Sequence, residues 1–173
     1  MLTAIDENLW AAEYPLSLAG VQLGHRMTVM RLAGSDLLLH SPIPLTDELV
    51  GELADLGEVR YIVAPSCFHD LFLGPYFERF ADATFCAVPG MSKIHPEMAF
   101  DVVLYDQFPK HWEDEVEHIL IGGLPKLNEV AFFHEASNTL IVADLVFNMR
   151  SSTSWLTRTA MKINGAYGRG APS

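Results

Sequence analysis

The sequence predicts a mixed α/β domain: hairpins and a strand–helix–strand unit, forming one mixed sheet or two packed sheets with helices outside. Three observations carry this expectation. Arg60-Tyr61-Ile62-Val63-Ala64 and Thr139-Leu140-Ile141-Val142-Ala143 are short runs rich in β-branched residues, the pattern of strands buried on both faces. Between Thr46 and Gly57 lies a segment with helix start and stop signals. Most remaining segments read as strands, and helices follow strands at two or three points.

In chain order, residues 1–14 read as one or two short strands, with Trp10 and Tyr14 as core or edge aromatics, and Pro15–Gly24 as a loop. Met27–Leu32 alternates as a strand. Gly34-Ser35-Asp36 is turn chemistry, and Leu37–His40 returns as the hairpin partner. Thr46 is the predicted N-cap of a helix, because its hydroxyl satisfies an orphan N–H and Asp47 and Glu48 suit the positive end of the helix dipole. Leu45 and Val50 flank the cap as a hydrophobic staple. Leu49, Leu53 and Leu56 form the buried stripe, and Gly57 ends the helix. A strand over Val59–Ala64, a short helix over Pro75–Phe80 and a strand over Thr84–Val88 follow. Further strands are predicted at Phe100–Leu104 and Val116–Ile121, and Glu129–Phe133 pairs with Thr139–Ala143 as a hairpin. Ser151 or Ser152 caps a last helix in which Leu156, Ala160 and Ile163 share a face, and Gly165–Ser173 is a flexible tail.

The 173 residues, half of them hydrophobic, fit one domain spanning 1–173. Eleven Lys and Arg stand against 22 Asp and Glu, a net charge of −11, which repels phosphate backbones and argues against nucleic acid as a partner. From Arg150 onward the balance reverses, with Arg150, Arg158, Lys162, Arg169 and no acid, either a basic face docked on an acidic body or a separate anion site. Cys67 and Cys86 form no CxxC pair, which fits a reducing compartment. No signal-peptide pattern or long apolar stretch is present, so a cytoplasmic protein without a membrane partner is expected.

Chemistry concentrates at two strand ends. The first run leads into Ser66-Cys67-Phe68-His69-Asp70, the second into Asp144 between Ala143 and Leu145. In layered α/β folds ligands collect where such strands end, and an Asp in apolar company needs donors or a cation. His69, Asp70 and Asp144 suit Zn²⁺, Fe²⁺ or Mn²⁺ chemically, although neighbours in an extended segment point to opposite sides. The alternative is that His69 or Asp70 caps the Leu71–Phe80 segment and Asp144 accepts backbone or Ser hydrogen bonds. Cys67 beside His69 is either a thiol nucleophile or, as is commoner, a buried inert thiol. No P-loop, Rossmann or Gly-x-Ser-x-Gly fingerprint is present.

The order of these elements resembles the metallo-β-lactamase superfamily, whose first cluster reads His-x-His-x-Asp-His-x-Gly-Gly, followed by a Gly-His-Thr-Pro turn and a strand ending in Gly-Asp. Ser66–Asp70 with Gly74, then Gly122-Gly123-Leu124-Pro125, then Ala143-Asp144 occupy those places. His40-Ser41-Pro42-Ile43-Pro44-Leu45, Glu129-Val130-Ala131-Phe132-Phe133-His134 and Thr139–Asn148 are similar to a branch of that superfamily labelled a domain of unknown function. The resemblance implies a four-layer αββα sandwich, shortened at the C-terminus. It also implies a ligand-binding rim of His40, Ser66, Cys67, His69, Asp70, His134, Asp144 and Asn148.

The superfamily's metal donors are largely replaced. Its first three His positions fall on Ser66, Phe68 and Leu71, and its turn His on Gly123. No metal or other cofactor is therefore expected. The leading expectation is a degenerate centre binding a small molecule at the former active-site rim. A mononuclear Zn, Fe or Mn hydrolase using His69, Asp70 and Asp144 is one alternative, and a non-catalytic interaction protein another. A shortened sandwich would leave an edge or an apolar face for Trp155, Leu156 and Ile163 to cover, within the chain or across a two-fold axis, so a homodimer through the 150–165 segment or the exposed edge is expected.

Overall fold

The chain opens with an antiparallel hairpin, β1 (Thr3–Asp6) against β2 (Leu9–Tyr14). At its turn Asn8 has φ 59°, a left-handed conformation Asn tolerates, and its side-chain oxygen accepts from the Arg31 guanidinium at 2.7 and 2.9 Å. A computed structural model describes residues 1–18, 21–105, 109–112, 114–123 and 127–145. Where the sequence suggests only a loop, two dipeptide strands pair, β3 (Ser17–Leu18) and β4 (Val21–Gln22). Next come β5 (His25–Arg31) and β6 (Asp36–His40), an antiparallel pair joined through a 3₁₀ turn at Ala33–Ser35.

Helix α1 (Asp47–Leu56) starts as its sequence dictates: Thr46 Oγ1 accepts from the Leu49 N–H at 3.2 Å, a cap worth about 1 kcal/mol. Leu49 and Leu53 are fully buried. Gly57 ends the helix in an extended conformation, not a left-handed one, and its necessity is spatial. A Cβ there would stand 2.1 Å from the Ser35 carbonyl oxygen. Two crossover units follow: β7 (Glu58–Ala64), α2 (Gly74–Arg79), β8 (Thr84–Ala87), α3 (Met91–Ile94) and β9 (Val102–Val103). A separate meander completes the described elements, β10 (Val116–Leu120), β11 (Val130–His134) and β12 (Thr139–Ile141).

The larger sheet has the order β1-β2-β5-β6-β7-β8-β9, antiparallel as far as β6 and parallel from β6 to β9. The smaller is the antiparallel β10-β11-β12. Phe77 of α2 stacks on Phe85 at 3.8 Å, and Phe85 shares a face of the large sheet with its register partner Ile62. On the opposite face Tyr61 meets Trp112 at 5.1 Å, and His40 meets Phe132 of β11 at 5.2 Å. Helix α2 thus covers one face of the large sheet and the small sheet covers the other, as the mixed, two-sheet α/β expectation requires. The core between the sheets includes Trp112, Val116, Val130 and Phe132, all fully buried, each worth about 1.5–3 kcal/mol of transfer energy.

The two sheets are pinned at both ends. At one end the Val130 N–H donates to Pro65 and the Cys67 N–H to Leu127. At the other, the Glu115 carboxylate accepts the Ala33 N–H. Short segments such as α3 and the 3₁₀ turn at Lys110–Trp112 lack a periodicity the sequence could display. Among the described residues no helix is long and apolar enough to cross a membrane. The predicted helix after Ser151, the 150–165 dimer segment and the 165–173 tail lie outside the described residues.

Candidate functional site

Parallel strand β7 ends at Ala64, and the chain turns instead of continuing extended: the His69 N–H donates to the Ser66 carbonyl at 3.2 Å. This turn brings Ser66 and His69 to one side, facing the end of β12. There Asp144 accepts from Ser66 Oγ at 2.6 Å through Oδ2, and His69 Nε2 lies 3.3 Å from Oδ1. The other ring nitrogen of His69, Nδ1, is 2.5 Å from Ser41 Oγ, which in turn lies 3.0 Å from His25 Nε2. The two imidazoles lie 4.6 Å apart, tilted by 35°. One hydrogen-bonded chain thus runs His25–Ser41–His69–Asp144–Ser66.

Burial alone would raise the Asp144 pKa, but hydrogen bonds and charge from His69, together with Ser66, outweigh it and hold the carboxyl below its usual range. His25 is pushed down to about 4, first by desolvation and then by its neighbour His69. Ser41 holds this arrangement under strain, since φ 61° is unusual for a Ser, and its N–H is fixed to the Val63 carbonyl at 3.0 Å. Asp144 is oriented from below by a fully buried carboxylate. Glu129 accepts the N–H groups of Ala143 at 2.7 Å and Asp144 at 2.9 Å.

The network stands at the edge of a cleft of about 1260 Å³ between the two sheets. Its floor includes Leu9, Ala11, Thr28 and His40, one wall is residues 139–144, and Phe68 and Leu71 line it from the turn. His40, Cys67, His69, Asp70 and Asp144, singled out from the sequence, all line this cleft, and Ser66 touches it through Asp144. Asp70 nevertheless has a partner outside that network. Its Oδ2 is 2.5 Å from His95 Nε2, while His95 Nδ1 is 2.9 Å from Glu97. Neither His69 nor Asp70 caps α2, whose N-cap position has no side-chain hydrogen bond. Cys67 is buried with its thiol toward the Pro89 carbonyl, and burial followed by the charge of Asp70 pushes its pKa up, against a thiolate nucleophile.

His134, expected at the rim, is not among the described residues that line the cleft, although its register partner Thr139 is. Its ring bonds Ser137 of its own hairpin at 2.7 Å. Asn148 lies outside the described residues. His25, Ser41 and Glu129 are the participants that the sequence left unnamed. The β5–β6 register could have found the first two, because pairing Thr28 with His40 carries His25 toward Ser41. For Glu129 the signal was an acid opening a buried strand.

A metal ion of the kind the resemblance implies does not fit these donors. Both nitrogens of His69 have protein partners, Asp70 belongs to His95, and Phe68 and Leu71 stand 65% and 56% exposed where nitrogen donors would be needed. Among the described residues no group of three His, Cys, Asp or Glu side chains is arranged to hold an ion.

Comparison with known proteins places this geometry. Metallo-β-lactamase structures superimpose on nearly the whole chain: DIM-1 exposed to ceftazidime gives a TM-score of 0.69 at 14% identity, covering 99% of this chain and 89% of that one. TMB-1 gives 0.68 at 14% identity with the same coverage. The enzyme from Hirschia baltica gives 0.62 at 13% identity, covering 81% of this chain and 68% of that one. At such identities the likeness establishes the fold alone. No curated protein matches in sequence. The model of the family described as Domain of unknown function (DUF4336) matches residues 6–163, so this chain, with its metallo-β-lactamase fold, belongs to that family.

Proposed function

We propose that the protein binds a small organic molecule in the cleft between its two sheets, recognising it through Asp144 and the His69 network without a metal ion. The observation that carries this reading is the chain His25–Ser41–His69–Asp144–Ser66 at the cleft edge. It fixes one ionised carboxylate beside an open apolar volume. Asp144 has four lone-pair sites and uses one on each oxygen, so acceptor capacity remains for a ligand. Ile5, Leu9, Phe68 and Leu71 offer apolar surface for its body. A few fixed polar groups in a largely apolar concavity is the usual composition of a small-molecule site.

Ligand-observed NMR with a fragment library, run on the full chain in EDTA, tests this reading. Binders are expected whose protein shift changes centre on His25, His69 and Asp144, and which Asp144→Asn weakens. Binding that appears only after Zn²⁺ is added would favour the mononuclear hydrolase instead.

A further inference from the structure

Exposed apolar surface is concentrated around the cleft. Eleven large hydrophobic side chains are exposed among the described residues, and six of them line this one concavity: Ile5, Tyr14, Phe68, Leu71, Ile94 and Leu140. Single exposed hydrophobes are ordinary, whereas a gathered group marks a binding surface. These six come from β1, β2, the turn after β7, α3 and β12, so the fold, not the sequence, brings them together.

Strand register gives the cleft a direction. At one end of β2, Tyr14 pairs with His25 of the hydrogen-bonded network. At the other, Leu9 lies against the stretch of β1 that holds Ile5. Five residues of extended chain separate the two ends, about 17 Å. Leu9, Ala11 and Glu13, at alternate positions, share the face that lines the cleft. The acid stands at the network end, and toward Ile5 the strand presents only Ala11 and Leu9. Polar groups thus mark one end, and apolar surface continues beyond them. At about 1260 Å³ the cleft also exceeds the roughly 300–1,000 Å³ usual for drug-sized ligands.

Resting on the small-molecule reading of the cleft, we infer that its ligand is an amphiphile with a linear hydrocarbon chain, whose polar end meets the Asp144 network and whose chain lies along β2 toward Ile5. A flat bilayer cannot fill a concavity of this volume, and a net charge of −11 is repelled by anionic lipid surfaces.

Three alcohols of increasing length, 1-hexanol, 1-octanol and 1-decanol, test this by calorimetric titration of the full chain at pH 7.5 in EDTA. Affinity is expected to rise about two- to fourfold for each added methylene, the upper figure being full burial. The Leu71 methyl resonances, beside the network, are expected to move with all three alcohols, and those of Ile5 only with the longer ones. Ile5→Ser changes a side chain that is 54% exposed, so the fold is retained. It is expected to weaken decanol about five- to tenfold and leave hexanol unchanged. Equal affinity across the series, Ile5 resonances that decanol leaves unmoved, or decanol binding indifferent to Ile5→Ser would each overturn the inference. Hexanol shifts centred on His69 and Asp144 would then leave the cleft reading standing. Saturable binding of none of the three would overturn both. Pelleting with phosphatidylcholine vesicles would in that case assign the apolar surface to a membrane, a dimer in sedimentation to a second copy, and a monomer to the chain's own 150–165 segment.

Discussion

Ser66 Oγ donates a 2.6 Å hydrogen bond to Asp144 Oδ2, joining two strand ends that lie 78 residues apart in the chain. One strand end belongs to the large sheet and the other to the small, so this contact closes the layers over the cleft. It also answers how Asp144 stays ionised between Ala143 and Leu145, since its donors come from across the sheet interface.

Ser66→Ala removes a donor to a charged acceptor and is expected to cost about 1.5–3 kcal/mol of stability in urea unfolding. Combined with Asp144→Asn, the two losses should be non-additive by about 1 kcal/mol or more, because both groups belong to one contact. Fully additive losses would mean that the hydroxyl and carboxylate act independently.

Ser41 is both strained and bridging, and two substitutions separate these roles. Ser41→Ala loses both hydrogen bonds and keeps the unfavourable φ of 61°. Ser41→Gly loses the same bonds but relieves the left-handed conformation, worth about 1 kcal/mol. Glycine is therefore expected to destabilise less than alanine in thermal unfolding, the reverse of their order in a strand interior.

Glu129→Gln keeps the shape of a buried side chain but can turn only one oxygen toward the N–H groups of Ala143 and Asp144. An expected loss of about 2–3 kcal/mol follows from one unpaired buried donor and a weakened second bond. Hydrogen exchange should show the amides of Ala143 and Asp144 losing protection while the β10–β11 ladder keeps it.

Acid should unfold the protein through its histidines before its carboxylates. His25 and His118 are lowered to about 4 and His40 to about 3, against an ordinary value of 6.5. Between those values the unfolded chain holds protons that the folded one refuses, so stability falls as pH drops from 6.5 toward 4. The slope is about 1.4 kcal/mol per pH unit for each such ring. Asp144, whose pKa is lowered, loses its contribution only below about 3.8, beneath this window. His95 works in the opposite sense: raised first by Asp70 and then by Glu97, it contributes stability below 6.5 that is lost as pH rises through its folded pKa. A melting temperature that stays flat from pH 7 to 4.5 would contradict this account.

The sequence was legible where periodicity, caps and strand order speak. Thr46 capped its helix, most of the strands appeared within a few residues of their expected bounds, and Asp144 stood at a strand end beside Ser66 and His69. What it could not show were side-chain choices inside a turn. Asp70 follows His69 directly, yet the turn sends one toward Asp144 and the other to His95, 25 residues on. His134 pairs with Thr139 of the cleft wall, yet its ring bonds Ser137 of its own hairpin, another side-chain choice that the sequence does not show. Ser41 was hidden because its role depends on strand register, and Glu129 because its partners are backbone N–H groups that no residue type reveals.

Metal content tests the central claim, a ligand cleft organised by hydrogen bonds in place of a metal centre. The protein, dialysed after exposure to Zn²⁺, Fe²⁺ or Mn²⁺, is measured by elemental analysis beside Asp144→Ala, with melting followed with and without chelator. Less than one equivalent of metal, no difference in metal content between the two proteins and no chelator-dependent shift are expected, since a tightly held ion would stabilise by several kcal/mol through linkage. One equivalent that survives dialysis and disappears in Asp144→Ala would contradict the account.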